Sequence, residues 1–151
     1  HMEYNKVMDT NEISQRADML SRFFDLAPMK HTFGMEISFD SEGNARFEMP
    51  HQKGFQHAMG DTHGGVIATL IDNAGWFTAA TRYENWVNTS EMTVRLHEPA
   101  KNEDLVAEGK VIRAGKRLCV TSMQVKSASG RLIATGTGTF VVSSKPIVVS
   151  A

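Results

Sequence analysis

The stretch His63-Gly64-Gly65-Val66-Ile67-Ala68-Thr69-Leu70-Ile71-Asp72-Asn73-Ala74-Gly75-Trp76-Phe77-Thr78-Ala79-Ala80-Thr81-Arg82 decides the architecture. Its apolar residues, from Val66 through Ile67, Leu70, Ile71 and Ala74 to Trp76, Phe77, Ala79 and Ala80, cover nearly the whole circumference of a helix. A helix apolar all round belongs inside a fold rather than on its surface. Asp72 is the exception, a carboxylate set into that apolar run, where an isolated buried charge is costly.

Upstream, an amphipathic helix opens the fold. Asp9 or Thr10 caps it, Glu12 follows Asp9 at capping-box spacing, and Ile13, Ala17, Leu20 and Phe24 share one face. Pro28 ends the pattern. Residues 33–40 are β-rich, Ser41-Glu42-Gly43-Asn44 reads as a turn, and Ala45, Phe47 and Met49 alternate with Arg46 and Glu48 as a half-buried strand. Residues 51–62 are a loop. Downstream lie four strands: 91–97, stopped by Pro99; 105–113; 118–126; and 132–142. The short turns Ala114-Gly115 and Ser129-Gly130 require antiparallel pairing of the last three. The expected fold class is α+β, one buried helix against a curved antiparallel sheet with an extra N-terminal helix.

The chain has 151 residues and 41% hydrophobic residues, enough for a single domain with a real core. We expect residues 1–8 to be a tag remnant (His1-Met2) and a disordered N-terminus, 9–143 the domain, and 144–151 a tail. A formal net charge of −1 gives no reason to expect nucleic acid or an anionic membrane as partner. The one cysteine, Cys119, cannot form an internal disulfide and reads as a buried strand residue. No signal peptide and no membrane-spanning run is visible, so a cytoplasmic location is the default expectation. No paired His or Cys spacing suggests a metal site, and His31, His51 and His97 have no partner spacing.

His63-Gly64-Gly65-Val66 followed by Leu70-Ile71-Asp72-Asn73-Ala74 resembles the signature of the PaaI-like hotdog thioesterases, with an acid nine positions after the histidine. The resemblance continues through Thr89, ten residues before Pro99-Ala100, and through Arg113-Ala114-Gly115-Lys116-Arg117, Gly130-Arg131-Leu132-Ile133-Ala134 and Gly138-Thr139-Phe140. With Ala27-Pro28-Met29 to Gly34-Met35-Glu36-Ile37 it covers residues 27–142. It implies a hotdog fold, acyl-CoA as substrate, no cofactor beyond the coenzyme A of the substrate, and a homodimer, with a homotetramer open. Many members of the family carry an Asn six residues before the His-Gly-Gly histidine; here that position is His57, whose imidazole can also donate a hydrogen bond.

Thioester hydrolysis needs a base or nucleophile and a donor for the oxyanion. Asp72 can supply the first. The Gly64 backbone N–H, in the unpaired first turn of a helix, can supply the second, although Gly64-Gly65 would equally serve a tight loop-to-helix turn. By resemblance Thr89 orients the water or the carboxylate; as a bare strand residue it is an ordinary surface threonine. His63 at the helix start is read as orienting the loop rather than as a base. Gly65, Phe55, Met59 and Trp76 are expected at the substrate. Arg113, Lys116 and Arg117, together with Lys110, cluster at one turn and can hold the phosphates of coenzyme A or simply be a solvated hairpin end.

Gly64 and Asp72 lie eight residues apart on one helix, about 12 Å, too far to touch the same carbonyl. Two such helices packed antiparallel across a two-fold axis would join Asp72 of one chain to Gly64 of the other. Two other readings stay open at this level: an acyl-thioester hydratase or dehydratase using a histidine such as His57 or His63, and a non-catalytic acyl-CoA-binding module.

Overall fold

The computed structural model describes residues 8–149; the expected tag remnant, residues 1 and 2, lies outside them. Helix α1 spans Thr10–Asp25 and α2 Pro28–Phe33. Strands β1 (Glu36–Phe39) and β2 (Ala45–Met49) come next, then a 3-10 turn at Lys53–Phe55 and the central helix α3 (Gly64–Ala80). Strands β3 (Asn85–Leu96), β4 (Leu105–Ala114), β5 (Leu118–Ser127) and β6 (Leu132–Pro146) complete the chain. The six strands form one antiparallel sheet in the order β1-β2-β4-β5-β6-β3, which wraps α3. This is the hotdog architecture.

The buried face of α1 is Ile13, Ala17, Leu20 and Phe24, as its spacing predicts. Asp9 is the cap: its Oδ1 accepts the Glu12 N–H at 2.9 Å. Phe24 carries α1 into the core, meeting Phe47 and Phe77 edge-to-face at centroid distances of 5.2 and 5.3 Å. Cys119 is fully buried on β5, and that burial pushes its thiol up to about 11.

Three expected boundaries are corrected. Phe33 is not part of a strand: Pro28 both ends α1 and opens α2, being suited to a first helical position, and Gly34 closes α2 in the left-handed region (φ 68°). The strand there starts only at Glu36. Strand β3 begins at Asn85 rather than residue 91, because it pairs with the extended end of β6. Strand β6 itself runs to Pro146, so residues 144–146 belong to the sheet and not to a tail.

Helix α3 is also less enclosed than its composition suggests. Its C-terminal half, from Ala74 to Ala80, is buried. Toward the N-terminus, Gly65, Thr69 and Asp72 fall on one stripe that the protomer leaves partly uncovered. Helix and sheet approach closely at Gly109 of β4, where a Cβ would collide with the Ala74 carbonyl and lie 2.5 Å from Thr78 Oγ1. Among the described residues, no helix is long and apolar enough to cross a membrane.

Candidate active site

Asp72 is half-buried on α3 and opens onto a cleft of 390 Å³. Its Oδ1 accepts a hydrogen bond from Thr89 Oγ1 at 2.9 Å. Thr89 reaches it because β3 is irregular there: the register with β6 shifts between Thr89 and Glu91, and such a bulge re-aims the side chains beside it. One helical turn beyond Asp72, Trp76 forms part of the cleft wall. Its indole N–H donates to the Val87 carbonyl at 2.7 Å, which fixes the ring. Phe23, Leu26, Met29, Asn73, Trp86 and Asn88 are among the other lining residues. The sequence reading missed this set. Phe23 stands one residue off the buried face of α1, and Trp86 and Asn88 lie in the part of β3 that alternation alone did not reveal.

Gly64 and His57 lie in a second cleft, of 400 Å³, with Asp61, Ile67, Leu96 and Glu98 among its walls. His63 is the N-cap of α3: its Nδ1 accepts the Gly65 N–H at 2.9 Å. The Gly64 N–H, in contrast, has no acceptor among the described residues. A Cβ on Gly64 would sit 2.7 Å from Leu96 Cδ1, so glycine keeps this backbone bare. His57 Nδ1 accepts the Met59 N–H at 3.1 Å. That bond assigns the ring proton to Nε2, which has no acceptor among the described residues.

Within one protomer, then, Asp72, Thr89 and Trp76 come together, Gly64 and His57 come together, and the two groups occupy separate clefts. Phe55 lines neither; its ring is engaged with Phe33 at a centroid distance of 5.3 Å. Met59 also lines neither and is 86% exposed at the loop tip. Arg113, Lys116 and Arg117 are exposed at the β4–β5 hairpin, outside both clefts. That hairpin is tied to the chain after α3 by Tyr83, whose hydroxyl donates to the Gly115 carbonyl at 2.6 Å. Among the described residues, no group of three His, Cys, Asp or Glu side chains is arranged to hold a metal.

Comparison with known proteins identifies the family. Residues 59–134 match the thioesterase superfamily, a segment that holds Gly64, Asp72 and Thr89. Over 97 residues, 62% of this chain and 69% of the other, it is 34% identical to acyl-coenzyme A thioesterase 13 of Homo sapiens. A thioesterase family protein from Silicibacter pomeroyi superposes with a TM-score of 0.78 at 25% identity, covering 87% of this chain and 99% of the other. The E. coli PaaI protein from the phenylacetic acid degradation operon shares the fold with a TM-score of 0.82 at 18% identity, over 92% of this chain and 99% of its own. The chain belongs to the thioesterase superfamily: it is a thioester hydrolase with the hotdog fold of the PaaI-like thioesterases.

Proposed function

We propose that the protein hydrolyses acyl-CoA thioesters to the free acid and coenzyme A at two equivalent sites, each shared between the subunits of a homodimer. The observation that carries this reading is the placement of the two clefts at opposite ends of β3. Residues 86–89 of that strand line the cleft of Asp72, and Leu96 lines the cleft of Gly64. Strand β3 is an edge strand of 12 residues, mostly exposed, and an uncapped edge of that length is a template for pairing. Antiparallel pairing of two copies about a two-fold axis near Met92 would set Asn88 against the partner's Leu96. The Asp72 cleft of one subunit would then open into the Gly64 cleft of the other. A closed two-fold contact of this kind is the commonest symmetry of soluble oligomers.

In such a site the thioester carbonyl lies between the Asp72 carboxylate and the partner's Gly64 N–H. Asp72 takes a proton from a water molecule whose oxygen bonds the carbonyl carbon, and that proton then passes to the leaving sulfur; or it attacks the carbon itself to give a mixed anhydride that water afterwards hydrolyses to the free acid. Thr89 holds the carboxylate by its Oδ1 and leaves Oδ2 for the reaction. The carbonyl oxygen gains negative charge, which the Gly64 N–H and the positive end of α3 stabilise, with His57 Nε2–H as a second donor. The C–S bond breaks and the sulfur leaves as the coenzyme A thiol or thiolate. Arg113, Lys116 and Arg117 supply cations for the coenzyme phosphates.

The test is thiol release from a panel of aryl and aliphatic acyl-CoA thioesters by wild type and Asp72→Asn. Release that drops about a hundredfold or more in the variant, the scale for losing a general base, supports the reading. A variant that keeps wild-type turnover overturns the role of Asp72. Binding of acyl-CoA without release on any substrate overturns hydrolysis of acyl-CoA.

A further inference from the structure

Helices α1 and α2 lie outside residues 59–134, the segment matched by the thioesterase superfamily, yet they build one wall of the Asp72 cleft. We propose that Phe23 of α1 sets the upper size of the acyl group. The inference rests on the acyl-thioester reading of the site and deepens it.

The aromatic end of the cleft suits the acyl group rather than the polar coenzyme. With the thioester carbonyl at Asp72, the cleft continues along α3 to Trp76, one turn or about 5.4 Å further on. There it meets aromatic rings. Trp76 and Trp86 are 4.7 Å apart by centroids, and Phe23 closes on both, at 6.3 Å from Trp76 and 6.0 Å from Trp86. An acyl chain therefore has room for only a few bonded atoms before it reaches the ring cluster. Compact acyl groups fit against the rings; an extended alkyl chain has to displace Phe23.

The backbone that carries Phe23 is anchored on both sides of it. Its neighbour Phe24 is 1% exposed, locked between Phe47 and Phe77. On the same helix, the Arg16 guanidinium donates to the Tyr83 carbonyl at 2.7 Å and to the Glu84 carbonyl at 2.6 Å. These bonds fix α1 to the connection between α3 and β3, the two elements that carry Asp72 and Thr89. The wall is thus part of the folded core and positioned relative to the reacting groups.

The experiment measures kcat/KM for straight-chain acyl-CoA thioesters of increasing length, in wild type, Phe23→Ala and Phe23→Trp. Binding of non-hydrolysable S-alkyl-CoA thioethers of the same lengths is measured by tryptophan fluorescence. Both tryptophans of the chain line this cleft, so the signal reports on it directly. Phe23→Ala should move the length cutoff to longer chains, with the long-to-short ratio rising about tenfold, the scale of a methylene or two of apolar room. Phe23→Trp should move it the other way, an opposite shift that loss of folding cannot imitate. Unchanged length profiles in both variants overturn the proposal. If wild type releases no thiol but its thioether cutoff shifts as described, hydrolysis of acyl-CoA fails while the size wall stands. If no thioether binds, the wall fails as well.

Discussion

Thr89 Oγ1 donates to Asp72 Oδ1 at 2.9 Å, joining the irregular middle of an edge strand to the central helix across 17 residues of sequence. An acceptor-only carboxylate held by one oxygen presents the other in a fixed direction. Hydrogen bonds to charged groups contribute about 1.5–3 kcal/mol, so Thr89→Val, which keeps the shape and removes the hydroxyl, should lower kcat roughly ten- to a hundredfold. Thr89→Ser should restore most of the rate. Steady-state kinetics with one good acyl-CoA substrate decides it; equal kcat for Thr89→Val and wild type would remove the positioning role.

If each site takes Asp72 from one subunit and Gly64 from the other, two dead variants can rescue each other. Gly64→Val places a side chain where Leu96 already lies 2.7 Å from a Cβ and covers the bare N–H. Asp72→Asn removes the base. In a mixed dimer both lesions fall in one site and leave the other intact. Unfolding and refolding an equal mixture should then recover about a quarter of wild-type activity, the random-assortment share for a two-fold dimer. No recovery above the separate variants would place each site within a single chain.

The parts of the fold legible in the sequence were those with a strong period or an unambiguous punctuation mark. Ile13, Ala17, Leu20 and Phe24 showed the buried face of α1 directly, and the Gly-containing turns located the β4–β5–β6 meander. The second helix was not legible, because Pro28 serves as a stop for one helix and a start for the next, and six residues closed by Gly34 are too few to show a helical period. The first half of β3 was hidden because an edge strand is mostly exposed and lacks alternation. That cost the reading Trp86 and Asn88. Of the residues that line the two clefts, the sequence singled out Asp72, Thr89, Gly64 and His57 by spacing and resemblance. Phe23 and Met29 were not singled out, since they reach the cleft only through the packing of α1 and α2 against the core.

The cations of the β4–β5 hairpin make a separable prediction. Arg113, Lys116 and Arg117 are exposed and stand apart from both clefts, so their effect on the chemical step should be small. Lys116→Ala combined with Arg117→Ala should raise KM for acyl-CoA several-fold with kcat nearly unchanged, the pattern of lost uniform binding. The KM difference should shrink at high salt, because exposed charges are screened within about 10 Å at 0.1 M ionic strength. For an acyl-pantetheine thioester that lacks the nucleotide phosphates, the variant and wild type should give the same KM. An unchanged KM for acyl-CoA would make the hairpin an ordinary solvated end.

Gly109 tests the packing that holds the site together. It lets β4 approach α3 so closely that a Cβ there would overlap the Ala74 carbonyl and come within 2.5 Å of Thr78 Oγ1. The obstacle is helix backbone, which cannot rotate away as a side-chain end could. Thr78 is also committed: its Oγ1 accepts the Ala45 N–H at 2.9 Å, a buried bond that ties β2 to the helix. Gly109→Ala must therefore push α3 off the sheet or break that bond. Overpacking of this kind costs about 1–3 kcal/mol, and the cost should appear as a lower denaturation midpoint with an unchanged slope. Ala74 and Asp72 lie within one turn of each other on α3, so the shift should also move the carboxylate relative to Thr89 and lower kcat. A variant as stable and as active as wild type would show that the helix can yield at this contact without disturbing the site.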